Sequence, residues 1–204
     1  MAEANPNSRL EAFSDGVFAI ALTLLIIDLK LPSPESIHST ADFWRQLQQI
    51  TPSVFAFVLS FGIILITWVN HHAALKLVDK SSASFIYANG FLLLTVVFMP
   101  FPTSLVGQFL LTDYAAPAVV LYNAVIVIQA VGWILFSRAA LKNQLTKDEA
   151  STTTMRESLR SGYFAFALYS LLAILAFWFP LAIAIITTLS WIIWLVISLR
   201  RKHV

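Results

Sequence analysis

Long stretches of this chain carry no charge. Residues 46–75, 81–112, 114–137 and 161–199 contain no Asp, Glu, Lys or Arg. Each reaches or exceeds the roughly 20 residues an α-helix needs to cross a bilayer core. A further apolar stretch, residues 9–29, differs at its ends. Arg9, Glu11 and Asp15 enter it and Asp28 with Lys30 closes it, while between Gly16 and Ile27 Thr23 is the one hydroxyl-bearing residue. A helix with no polar face has lipid or protein on every side. Ionisable groups at the edge of a span are costly and point to function.

The run 161–199 would extend about 58 Å as one helix, roughly twice the bilayer core. Phe177-Trp178-Phe179 and then Pro180 stand at its middle. Proline interrupts the helical hydrogen-bond ladder and aromatic residues favour the water–lipid boundary, so two spans joined by a tight hairpin are expected. Pro100-Phe101-Pro102 kinks or ends the third span in the same way. Six spans result, over residues 9–29, 51–72, 83–105, 115–137, 161–178 and 180–199. An even number places both termini on one side. The segments on that side hold Arg9, Lys76, Lys80, Arg138, Lys142, Lys147, Arg156, Arg160, Arg200, Arg201 and Lys202, against Lys30 and Arg45 opposite. Positive charge collects on the cytoplasmic side, so both termini are expected there.

Composition agrees: 58% of the 204 residues are hydrophobic and 12% charged. The expected fold class is all-α, a polytopic membrane protein whose residues 1–204 form one six-span domain. Glu11 and Asp15 ahead of the first apolar core argue against a cleaved signal peptide. The cell membrane, with multiple passes, is the expected location. Zero cysteines remove disulfide, thiolate-metal and cysteine-nucleophile chemistry. A net charge of +2 implies no nucleic-acid partner.

Two outer and inner connections stand out. Residues 30–50 lie outside, opened by Pro32 and Pro34, with Asp42-Phe43-Trp44-Arg45 as an interfacial helical turn. Residues 139–160 lie inside and read as charged and helical.

This topology gathers scattered polar residues at the cytoplasmic end. The first span contributes Arg9, Ser14 and Asp15; the second ends with Trp68, Asn70, His71 and His72; the third carries Asn89 shortly after its start. In a low-dielectric setting such groups should pair with one another. Asp15 as acceptor with Arg9, Trp68 and a histidine as donors would form a satisfied network that ties three helices together. Adjacent histidines point about 100° apart and do not make one small metal site, and no cofactor is expected. A membrane-embedded enzyme acting on a lipid or quinone head group through Asp15 and His72 is the alternative from another class. It lacks a nucleophile elbow, a zinc motif and a second deep carboxylate.

Within the first span, helical spacing from Ile20 selects Thr23 or Leu24 and then Ile27 on one face, flanked by the small residues Gly16, Ala19 and Ala21. Rings of branched apolar side chains gate by dewetting when they surround an axis, although such a stripe alone is ordinary packing in a membrane helix.

Arg9-x-x-x-Phe13-Ser14-Asp15-Gly16 followed by Phe18-Ala19-Ile20 resembles the signature of the first span in the transmembrane protein 175 family of potassium channels. Trp68-x-x-His71-His72, Asn89-x-x-x-Leu93 and Phe98-x-Pro100-Phe101-Pro102-Thr103 resemble the same family in the next two spans. The resemblance implies a potassium-selective cation channel that is passive, not voltage-gated, and without a glycine-rich carbonyl filter. It is not an enzyme on this reading, and its partners are potassium ions, lipid and copies of itself. A single six-span repeat resembles the prokaryotic form, a homotetramer with first spans around a central pore. The family's constriction then corresponds to Ile20, Thr23 or Leu24, and Ile27. Its pore-stabilising network corresponds to Arg9, Ser14 and Asp15 with His71 or His72, and the topology above adds Trp68 and Asn89 to that cluster. No metal beyond permeating potassium is implied. Under fourfold symmetry, Asp28 would form an acidic outer vestibule, which Lys30 partly offsets.

Overall fold

A computed structural model describes residues 7–30 and 33–200; the side chains of Asp28 and of residues 197–200 lie outside that description. The expectations resting on Pro32, Arg201 and Lys202 therefore fall outside the described residues, as does the vestibule assigned to the Asp28 side chain.

The described residues are helical apart from short connections. In order they are α1 (Ser8–Leu24), a 3₁₀ turn (Leu25–Asp28), a second 3₁₀ turn (Pro34–Ser36), α2 (Thr40–Gln49) and α3 (Thr51–Leu75). There follow α4 (Ala83–Phe98), α5 (Pro100–Phe109), α6 (Ala115–Lys142), α7 (Glu149–Leu175) and α8 (Pro180–Arg200). Among the described residues, five stretches are long and apolar enough to cross a membrane: Ser8–Ile27, Thr51–Leu75, Ala83–Phe109, Ala115–Lys142 and Glu149–Leu175. Pro180–Val196 is apolar but shorter.

Local chemistry sets the boundaries. Ser39, Ser82 and Asp148 cap α2, α4 and α7, each side chain accepting a backbone N–H three residues on. The Ser151 N–H holds the Asp148 carboxyl below the usual carboxylate range. α7 begins at Glu149, so the charged connection is helical over much of its length and continuous with the fifth apolar stretch. Pro100 and Pro102 kink the third stretch rather than ending it, and α5 continues to Phe109. The Thr103 hydroxyl sits at that kink, 2.8 Å from Met99 O and 2.7 Å from Ser60 Oγ, and Tyr122 Oη lies 3.2 Å from Ser60 Oγ. Pro180 opens α8 after the exposed Phe177, Trp178 and Phe179, which gives the expected hairpin.

Where lipid replaces water, helices associate through close packing rather than through escape from solvent. Glycines supply that closeness here. A Cβ at Gly107 of α5 would stand 2.8 Å from the Ser53 Cα of α3, and one at Gly132 of α6 would stand 3.1 Å from the Leu92 Cα of α4. The main core joins Phe18 and Ala21 of α1 and Leu25 of the turn after it to residues of α3, α4, α6, α7 and α8. A second core lies at the end where α1 begins and includes Leu75, Val78, Phe85, Phe136 and Met155. The two connections above it pair: Asp79 N–H donates to Leu145 O (3.1 Å) and Lys147 N–H donates to Leu77 O (3.0 Å). The Asn7 amide donates to Lys80 O (3.2 Å), which ties the start of α1 to this brace.

Candidate functional site

α1 has two unlike faces. Ser14, Phe18, Ala21 and Leu25 are buried. Their spacing keeps them within about 60° of azimuth at roughly 100° per residue. On the other side Ile20 (59% exposed), Leu24 (38%) and Ile27 (71%) stay uncovered by their own chain. The winding tightens to 3₁₀ over Leu25–Asp28, and in that geometry residues three apart eclipse. Leu24 and Ile27 therefore stack along the axis, with Ile20 about 40° away in azimuth and Thr23 about 60° beyond it on the far side. Thr23 is also exposed, and its Oγ1–H donates to Ile20 O at 2.9 Å. Its proton is thereby committed to the backbone, leaving oxygen lone pairs for any other partner.

The buried face of α1 carries a directed hydrogen-bond relay. Ser14 Oγ–H donates to Leu10 O at 2.8 Å, so Ser14 Oγ is free to accept from Asn89 Nδ2 at 3.1 Å. Asn89 Oδ1 then faces His71 Nε2 at 2.6 Å. A carbonyl oxygen only accepts, so the imidazole carries its proton on Nε2. Ser14, His71 and Asn89 are each fully buried. Aromatic rings enclose the imidazole: Phe18 at 5.3 Å, Phe136 at 5.6 Å and Trp133 at 6.3 Å between centroids. Such a relay in a dry setting fixes the register of α1 on α3 and α4.

A second set of contacts runs beside the first. Trp68 Nε1–H donates to Asp15 Oδ1 at 2.8 Å, and His72 Nδ1 lies 3.1 Å from Glu11 Oε1 without hydrogen-bond alignment, a contact that is an ion pair only when the imidazole is protonated. Glu11 and Asp15 are one turn apart on α1, as are Trp68 and His72 on the antiparallel α3, so the two pairs form rungs between the helices. The Trp68 and His72 rings stack at 5.9 Å.

Of the residues singled out from sequence, the structure brings together Ser14, His71 and Asn89 in one network, and Asp15, Trp68 and His72 in the other. Arg9 is exposed on α1 and makes no ion pair among the described residues. Asn70 bonds within its own helix, its amide donating to Ile66 O at 2.9 Å. Sequence reasoning passed over Glu11 as a partner of His72. The i, i+4 spacing of Glu11 and Asp15 against that of Trp68 and His72 was the readable signal. It also passed over the aromatic cage, for which Trp133 and Phe136 come from a distant span and leave no local trace.

A family profile described as "Endosomal/lysosomal potassium channel TMEM175" matches residues 9–100. A potassium channel of Chamaesiphon minutus is 40% identical over 149 residues, covering 72% of this chain and 73% of that protein. A potassium channel of a Chryseobacterium species is 30% identical over 191 residues, covering 92% of each. Among solved structures, a lysosomal potassium-selective channel TMEM175 homolog from Chamaesiphon minutus superposes with a TM-score of 0.80 at 30% identity. That match covers 93% of this chain and 98% of the other.

Proposed function

The chain belongs to the TMEM175 family of potassium channels, a family of multi-pass membrane proteins and not of enzymes, and from that premise we propose that it is a passive, potassium-selective channel. Four copies assemble with α1 around a central pore whose wall is Ile20, Leu24 and Ile27, with Thr23 beside it. One observation carries this reading: α1 buries one face completely and leaves a branched apolar face uncovered along its axis. Lipid or protein covers such a face in a bilayer, and the symmetric protein cover is the same face of three further copies.

In this arrangement the constriction selects by dehydration. Apolar rings present no ligands to replace the hydration shell, so an ion passes only by shedding part of it. Potassium holds its water less tightly than the smaller sodium ion and crosses with the smaller penalty. No carbonyl filter is required, and the sequence has no Thr-Val-Gly-Tyr-Gly string. The Ser14–Asn89–His71 relay and the Asp15–Trp68 bond hold each α1 at a fixed rotation, so all four present the same stripe. Asp28 lies at the outer mouth, where four carboxylates would concentrate cations. The chain acts in the cell membrane as a single six-span unit with both termini cytoplasmic, as its Lys and Arg distribution favours.

Flux from liposomes holding the purified protein is the direct test. Potassium should flow down its gradient without an energy source and set a reversal potential near the potassium equilibrium value. Equal sodium flux, or none of either ion from well-assembled protein, rules the reading out.

A further inference from the structure

Apart from the α1 networks, a cavity of about 100 Å³ lies between α3, α6, α7 and α8. None of its lining residues is Asp, Glu, Lys or Arg, so it presents no formal charge to an occupant. Asn70, Ser158 and Ser161 line its end nearer the start of α1, and Ile126, Tyr169 and Trp191 line the end toward the middle of the bundle. Its polar groups are unevenly satisfied. Ser190 Oγ–H donates to Thr187 O at 2.6 Å, so the Tyr169 hydroxyl donates to Ser190 Oγ at 2.8 Å and accepts from Trp194 Nε1 at 2.9 Å. Gln129 is 4% exposed, yet its amide nitrogen meets no acceptor among the described residues, and the same is true of the Trp191 indole N–H. Both residues line this cavity, Trp191 lining a neighbouring one as well, and both donor atoms are enclosed and lack acceptors, a costly arrangement in a dry interior.

We propose that this cavity is a binding site for a small, uncharged amphiphile of the short-chain alcohol class. Its oxygen accepts from Gln129 Nε2 once the amide turns that atom into the cavity. Its hydrocarbon part packs on Ile66, Ala130 and Ala165. The size fits about four to six heavy atoms, since an apolar cavity of about 150 Å³ accommodates benzene. No residue of α1 lines the site, and its occupancy does not depend on ion conduction.

Intrinsic fluorescence reads this site, because Trp133, Trp191 and Trp194 line the cavity out of six tryptophans in the chain. The full-length protein in vesicles would be titrated with 3-bromo-1-propanol, whose bromine quenches indole on contact, and with 1-bromopropane, which lacks the hydroxyl. The expected result is a saturable quenching component in the wild type that Ala165→Leu weakens at least about fivefold by filling the space. Gln129→Leu should weaken the alcohol about three- to tenfold and leave the bromoalkane unchanged. Ala165→Val serves in place of Ala165→Leu should the larger side chain prevent folding. Quenching that rises linearly with concentration and is identical in the wild type and the filled variants is bilayer partitioning and overturns the proposal. Saturation that is indifferent to Gln129→Leu overturns it as well.

Discussion

Asn89 shows how much rests on single atoms. Asn89 bridges Ser14 and His71 with both ends of one amide, and each neighbour depends on it. Asn89→Leu strands a hydroxyl acceptor and an imidazole donor in a buried site, which should cost about 1–3 kcal/mol. A lowered thermal unfolding midpoint in detergent checks this. Combining it with Ser14→Ala should cost less than the sum of the two, since the second change removes a partner already lost. Strict additivity would mean the contacts are independent. Ile20 and Ile27 are the opposite case, exposed and held by no bond. Ile20→Asn or Ile27→Asn places an amide where an ion would be dehydrated, so single-channel conductance should rise and potassium over sodium discrimination should fall. Wild-type behaviour in both variants would place the pore wall elsewhere.

At the scale of elements, the helices meet where side chains are small. Gly107 brings α5 against the Ser53 backbone of α3, and no rotamer change relieves a contact with a Cα. Gly107→Ala should therefore push the two helices apart and destabilise by about 1–3 kcal/mol, read as a drop in the unfolding midpoint. Gly16 has open space around its missing Cβ within its own chain. Gly16→Ala should leave the midpoint within error of wild type or raise it slightly, as alanine favours helix. The element pattern also explains a limit of the sequence reading. Helical periodicity fixed which residues of α1 share a face but left Thr23 and Leu24 equivalent. The 3₁₀ turn that follows, which stacks Leu24 over Ile27, separates them.

The molecule leaves apolar faces of α1, α7 and α8 uncovered, and which of them faces a subunit axis has a consequence for assembly. The chain lacks cysteine, so introduced thiols report on a single position. If four α1 helices face an axis, Ile20→Cys and Leu24→Cys should cross-link between subunits under mild oxidation, and Ile193→Cys, equally exposed on α8, should not. Cross-linking at Ile193→Cys and none at Ile20→Cys, measured on non-reducing gels, would reverse the orientation. Native mass spectrometry should show four copies.

Hydropathy and charge placement by themselves determined the helical membrane class and the proline-marked breaks at Pro100 and Pro180. They also determined the gathering of Ser14, Asp15, Trp68, His71, His72 and Asn89 at one end, because a bilayer fixes length and polarity residue by residue. Tertiary structure alone decided the pairing. Arg9 stands apart while Glu11 reaches His72, and Phe18, Trp133 and Phe136 close around His71. Those choices depend on the rotation of one helix against another, a quantity that packing of distant segments sets and that no local pattern encodes.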